Sequence, residues 1–142
     1  MSKTLAIDYG SRNIGIAVSD STNKVAFGKT ALKNDNLLLK NLLNIIVQEN
    51  ISTAVIGYPL NLKGNKNLQT EKVELFEEQF KTFLNNSNHY IKIVRWDERF
   101  TSKLASDSMI MSGMKKSKRK QKENIDIIAA AILLQSYLDS LK

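Results

Sequence analysis

Asp8, Glu98 (with Asp97 beside it) and Asp126 are the residues of this chain best placed to do chemistry. Asp8 closes the apolar run Leu5-Ala6-Ile7. Asp97 and Glu98 close the run from Tyr90 to Trp96, and Asp126 opens the apolar stretch from Ile125 to Leu138. Carboxylates at the ends of different elements can converge on one point, and hard oxygen ligands suit Mg2+ or Mn2+, which retains part of its water shell. Two such ions roughly 4 Å apart can activate a water, hold an in-line approach and neutralise the leaving oxygen of a phosphodiester. One histidine and no cysteine leave little for zinc. Taken singly, each acid has a plainer explanation. Asp8 before Tyr9-Gly10 fits a turn aspartate, Asp126 suits the positive end of a helix dipole, and Asp97 or Glu98 could pair with Arg95 or Arg99. The joint pattern favours a metal-dependent phosphodiesterase, because the rest of the chain supplies the matching polyanion contacts.

Those contacts are basic. Lys115, Lys116, Lys118, Arg119, Lys120 and Lys122 fall within eight residues and account for six of the formal +7, leaving the remainder near neutral. Such a segment attracts nucleic acid through its phosphates, although a solvated loop has the same composition. Arg12 and Arg99 are further candidates to steady phosphate or developing charge. The loop Gly57-Tyr58-Pro59-Leu60-Asn61 to Gly64 precedes a helix whose first N–H groups could receive phosphate; a plain turn explains it equally simply. Trp96 reads as core with a lesser chance of stacking on a base, and His89 as exposed.

The elements that position these residues follow from periodicity. Residues 4–8 and 14–19 read as strands joined by the hairpin loop Gly10-Ser11-Arg12-Asn13, and residues 24–30 as a third. Residues 36–49 place Leu38, Leu39, Leu42, Ile45 and Ile46 on one helical face, with Asp35 or Asn36 as cap. Residues 53–57 form a buried strand. Residues 70–84 form a helix with Thr70 as cap, residues 90–96 a strand and residues 101–112 a modest helix. The last helix is capped by Asn124. This order predicts an α/β fold with a mixed five-stranded sheet, three antiparallel strands followed by parallel ones, flanked by helices. Asp8 and the Asp97–Glu98 pair then lie at the carboxyl ends of parallel strands, where ligand sites gather.

A chain of 142 residues fits one domain spanning residues 1–142, with no repeat or linker. The absence of cysteine, of a visible signal peptide and of a membrane-length apolar run predicts a cytoplasmic protein that makes no membrane contact.

The motifs also resemble a family in order along nearly the whole chain. Ala6-Ile7-Asp8-Tyr9-Gly10-Ser11-Arg12-Asn13-Ile14-Gly15, Val55-Ile56-Gly57-Tyr58-Pro59-Leu60-Asn61, Asp97-Glu98-Arg99-Phe100-Thr101-Ser102 and Asp126-Ile127-Ile128-Ala129-Ala130 are similar to segments of the pre-16S ribosomal RNA nucleases. That family is also described as Holliday-junction-resolvase-like (the YqgF or RuvX type). The resemblance implies a ribonuclease-H-like fold, with Asp8, Glu98 and Asp126 holding Mg2+ or Mn2+ as catalytic groups, and a role in processing the 5′ end of pre-16S rRNA. Resolvase relatives carry a further acid in the last helix, three residues after the first, where this chain has Ala129. Cleavage of four-way DNA by a homodimer is the alternative to cleavage of structured RNA by a monomer or homodimer. A non-catalytic nucleic-acid or ribosome-associated module is the alternative from outside enzymology. A two-domain actin-like ATPase needs a much longer chain.

Overall fold

The computed structural model describes residues 2–100 and 122–142. The expected helix over residues 101–112, and the basic residues Lys115, Lys116, Lys118, Arg119 and Lys120, lie outside the described residues. Three strands come first: β1 (Lys3–Asp8), β2 (Asn13–Ser19) and β3 (Ala26–Lys33). They are followed by α1 (Leu38–Gln48), β4 (Ile51–Tyr58), α2 (Leu68–Asn86) and β5 (Lys92–Asp97). A 3-10 turn over Glu98–Phe100 and helix α3 (Lys122–Ser140) complete the described chain.

The sheet order is β3-β2-β1-β4-β5. β1, β2 and β3 pair antiparallel, whereas β1, β4 and β5 run parallel, as the hairpin and helical connections require. The mixed five-stranded α/β sheet expected from the sequence is therefore present. Element ends differ from expectation in several places. β3 starts at Ala26 and runs on to Lys33, because Asp20 occupies the preceding turn, accepting hydrogen bonds from the backbone N–H groups of Lys24 and Val25. α1 has no side-chain cap, and Asp35 instead accepts from the Leu37 N–H just ahead of it. α2 begins earlier than expected, with Asn67 as its cap. Thr70 sits inside the first turn as the reciprocal partner of a capping box, its side chain accepting from the Asn67 N–H. Asn124 lies within the first turn of α3 and does not precede it.

Alternation along the strands divides the core into two layers. Leu5 and Ile7 of β1, Ile14 and Ile16 of β2, and Ala54 and Ile56 of β4 face α1 and α2, where Leu42, Ile46, Val73, Phe76 and Phe80 are buried. The intervening residues Ala6, Ala17 and Val55 face α3 through Ala130, Leu133, Leu134 and Leu138. The α3 layer is built from smaller sheet residues, so the helix can lie close to the strands. Gln135, which interrupts the apolar run of α3, satisfies the edge strand's approach: it accepts from the Ala26 N–H and donates to the Lys24 carbonyl, both at 2.9 Å. Trp96 packs in the same layer, edge-on to Tyr137, and its Nε1 donates to Ser136 Oγ at 3.1 Å. The indole is thereby committed to α3 packing. His89 is half-buried, not exposed.

On the other face, α2 is tied to β5 by Glu77, which is buried and accepts two bonds from Arg95, at 3.0 Å from Nε and 2.9 Å from a terminal nitrogen. Burial acts to raise the Glu77 carboxyl, but the Arg95 guanidinium outweighs it and holds the group below its ordinary 4.5. A carboxyl depressed in the folded state stabilises above its unfolded value, and that contribution is lost as pH falls through the lowered one. Arg95→Leu should cost on the order of 2 kcal/mol in urea melts at pH 7, below the range for a fully enclosed pair because Arg95 keeps access to water. The penalty should shrink as the pH is taken below about 4.5, where Glu77, left with Lys81 alone, takes up a proton.

Candidate active site at the carboxyl ends of the parallel strands

Side-chain parity fixes which groups can meet. Asp8 lies two residues beyond Ala6 and therefore shares the α3-facing side of β1. Gly15 opposite it on β2 shares that side with Ala17, Gly57 on β4 shares it with Val55, and Trp96 on β5 shares it with Val94. Two glycines among these residues decide the geometry. A Cβ on Gly57 would lie 2.4 Å from Glu98 Oε1, so Glu98, just past β5, reaches across the bare backbone of β4 toward β1. A Cβ on Gly15 would lie 2.0 Å from the Asp126 carbonyl oxygen, so the first turns of α3 rest directly on β2 beside Asp8. The sheet register and these two clearances bring Asp8, Glu98 and Asp126 together from three elements.

The electrostatics report the same convergence. Burial raises the Asp8 carboxyl well above its usual 3.8, and the neighbouring charge of Glu98, a hydrogen bond with Glu98 and the charge of Asp126 all push the same way. Glu98 is raised too, by burial first; its hydrogen bond with Asp8 works in the opposite direction, and Asp97 adds to the rise. The hydrogen bond between Asp8 and Glu98 thus joins two carboxyls that burial holds above their ordinary range. Asp126 Oδ2 is also buried.

Asp97 has a different task. It accepts from Arg99 Nε at 2.9 Å, from a terminal nitrogen at 2.6 Å and from the Arg99 N–H at 2.9 Å, and Arg99 holds its carboxyl below the usual range. Of the two adjacent acids, Glu98 turns to Asp8 and Asp97 turns to Arg99. The Arg99 guanidinium is consequently committed to Asp97, with a terminal nitrogen 3.2 Å from where a Gly64 Cβ would stand. Arg12 is exposed on the β1–β2 loop. That loop is clamped by Asn34, which donates to the Gly10 carbonyl and the Tyr9 hydroxyl, both at 2.9 Å, and whose N–H reaches the Arg12 carbonyl at 2.8 Å. Lys122 is the first residue of α3. The Gly57–Gly64 loop is not an open phosphate cradle. Its Lys63 and Asn65 N–H groups go to Asn61 Oδ1, and the Gly64 N–H goes to the Asn61 carbonyl.

Sequence reasoning singled out the three acids but not Gly15, Gly57 or Asn34. A glycine at an inward-facing strand position is the signal that could have been used, since it marks a close approach.

The donor set fits a hard divalent cation by chemistry: three carboxylates in one buried corner, with no thiolate or imidazole beside them. As the side chains stand, no group of three His, Cys, Asp or Glu among the described residues is arranged to hold a metal ion. Asp8, Glu98 and Asp126 are the side chains that would hold such a cation.

Comparison with known proteins now bears directly on this site. The RuvX family model, described as Holliday junction resolvase, matches residues 2–140. This chain belongs to the RuvX family. A relative from Flavobacterium psychrophilum named "Putative pre-16S rRNA nuclease" is 38% identical over 138 residues, covering 97% of each chain. A relative of the same name from Caldanaerobacter subterraneus subsp. tengcongensis is 35% identical, covering 99% of this chain and 98% of its own. Among solved structures, Thermus thermophilus RuvC in complex with a Holliday junction superposes with a TM-score of 0.63 at 12% identity, covering 100% of this chain and 98% of that one. The fowlpox virus resolvase bound to junction DNA gives a TM-score of 0.60 at 18% identity, covering 98% of each. These likenesses establish a RuvC-like, ribonuclease-H-type fold. No described helix is long and apolar enough to cross a membrane.

The two glycines make separable predictions. Gly15→Ala meets helix backbone and should lower stability by about 1–3 kcal/mol in denaturant melts. Gly57→Ala meets only the mobile end of Glu98 and should cost less, yet abolish any rise in Tm caused by Mn2+. The raised Asp8 carboxyl predicts that, in chelator, stability falls as pH rises from about 3.8 through the elevated value, because the folded state holds the proton more tightly. Asp8→Asn removes that loss, so in EDTA at neutral pH it should melt at a higher temperature than wild type while losing the Mn2+ response.

Proposed function

We propose that this RuvX protein is a metal-dependent nuclease, folded as a single domain over residues 1–142, that hydrolyses phosphodiester bonds in structured RNA, its task being the processing of the 5′ end of pre-16S rRNA. The observation that carries this reading is the enforced meeting of Asp8, Glu98 and Asp126 in a corner shaped by Gly15 and Gly57. The names of its relatives supply the substrate. Asp8, Glu98 and Asp126 would hold Mg2+ or Mn2+, and the bound cation would supply an acidified water and charge neutralisation at the scissile phosphate. Asp8, which touches Glu98 and lies beside Asp126, would be the central ligand. Glu98, turned to Asp8 while Arg99 occupies Asp97, would complete the set from the end of β5. Arg12, carried on a loop pinned by Asn34, would meet a substrate phosphate.

Arg99 would act at one remove, fixing Asp97 and thereby the direction in which Glu98 leaves β5. The basic run Lys115, Lys116, Lys118, Arg119, Lys120 and Lys122 would bind the polyanion backbone without reading sequence. A cytoplasmic location accords with this substrate.

The family description favours a second reading, cleavage of four-way DNA junctions. Symmetric cutting requires a two-fold dimer, and Ala129 stands where resolvase relatives add an acid. Structured RNA is therefore preferred, with the protein acting as a monomer or homodimer.

End-labelled precursor RNA and a four-way junction should be incubated with purified protein and Mg2+, Mn2+ or EDTA. Cleavage of the RNA should require the cation and fall by about a hundredfold or more in Asp8→Asn, Glu98→Gln and Asp126→Asn. Activity unchanged in Asp8→Asn would reject the assignment, and paired nicks in the junction alone would select the resolvase reading. If six phosphates are engaged by the basic run, log affinity for duplex should fall with log salt at a slope of roughly −5.

A further inference from the structure

Leu62 is 95% exposed and Leu68 is 77% exposed, more than any other large apolar side chain among the described residues. Leu62 lies in the β4–α2 connection and Leu68 opens α2, at the carboxyl edge of the sheet that carries the three acids. A single exposed leucine ordinarily needs no explanation, but Leu62 is not on a slack loop. Asn61 Oδ1 accepts from the Lys63 and Asn65 N–H groups at 3.0 and 2.9 Å, and the Asn61 N–H closes back on the Asn65 carbonyl at 3.0 Å. Gly64 takes a φ of +84°, a turn that L side chains resist. Below the turn, the Pro59 carbonyl accepts from Thr70 Oγ1 inside α2. Beside it stands the Arg99 guanidinium, locked by Asp97 and one residue from Glu98. The tip of this braced loop is therefore held in register with the acid corner.

Its chemistry points to one kind of partner. Residues 59–70 contain no acid, and they carry Lys63 together with the exposed amides of Asn61, Asn65 and Asn67. Exposed amides and a lysine around an apolar tip suit a nucleic acid, in which phosphates and base edges surround flat apolar base faces. An apolar side chain pushed against a base step unstacks it and bends the strand. Resting on the nuclease reading above, we infer that Leu62 is a base-stack wedge that distorts structured RNA or DNA beside the scissile phosphate and so selects bent or branched substrates over linear ones. Lys63 steadies the adjoining backbone. The wedge makes no contact with the reacting atoms; it is a specificity-determining residue.

Because Leu62 buries almost nothing, Leu62→Ser should leave Tm unchanged, which separates this role from folding. The test uses the full chain, a hairpin RNA and a four-way DNA junction labelled with 2-aminopurine near the branch, and Ca2+ for binding without turnover. Wild type should raise 2-aminopurine fluorescence on binding. Leu62→Ser should abolish the rise and lower kcat/KM on the branched substrate about tenfold, with cleavage of an unstructured strand unaffected, whereas Leu62→Phe should retain both signals. Unchanged fluorescence and selectivity in Leu62→Ser, with metal-dependent cleavage intact, would overturn the wedge and spare the nuclease reading. Leucine-dependent unstacking without cleavage by wild type would support the wedge and reject the nuclease. Binding without any unstacking by wild type overturns the wedge.

Discussion

Bringing like charges together under a helix is costly, and the α3 face of the sheet is organised around making that cost bearable. Asp8 and Glu98 touch only because Gly57 between them has no side chain, and Asp126 approaches only because Gly15 lets the first turns of α3 rest on β2. A hydrogen bond then joins the first two acids, and burial raises both carboxyls. A cluster of this kind is strained for folding and prepared for a cation, which would stabilise what the bare protein tolerates poorly. Stability is given up at the one place where charge density is useful.

The two layers of core divide the labour. Bulky aliphatic and aromatic side chains between the sheet and α1 and α2 provide most of the apolar burial, with Phe76 and Phe80 stacked at 5.6 Å between ring centres. The α3 layer has small residues at Ala6, Ala17 and Ala130, so the helix sits low and its amino end meets the strand termini. Trp96 and Gln135 fix α3 laterally against β5 and β3. Arg99 likewise serves the site indirectly, by occupying Asp97 so that only one carboxylate of the adjacent pair is left to turn inward.

A chain in the RuvX family with this corner is well suited to phosphodiester chemistry, because the substrate brings its own negative charge and needs a site where cations, not side-chain bases, are concentrated. The braced β4–α2 loop would add a means of selecting the shape of the substrate. Affinity from basic residues, chemistry from acids and shape selection from an apolar tip would then be carried by three different segments.

Much of this was legible in the chain itself. Alternation in Leu5-Ala6-Ile7-Asp8 fixes which side Asp8 takes, and hairpin and helical connections fix strand direction. Local pattern was weakest at boundaries: nothing local reveals that Asn67, rather than Thr70, begins α2, because the capping box is a reciprocal pair and either member could start it. Sequence also could not tell Asp97 from Glu98, since both follow the same strand and differ only in which neighbour each meets. That choice was made by tertiary structure, where a bare glycine opens one path and an arginine closes the other. The covalent order of residues determined the kinds of group available and the faces they share; proximity across three separate elements, and therefore charge coupling, existed only once the strands had paired and the helix had settled on them.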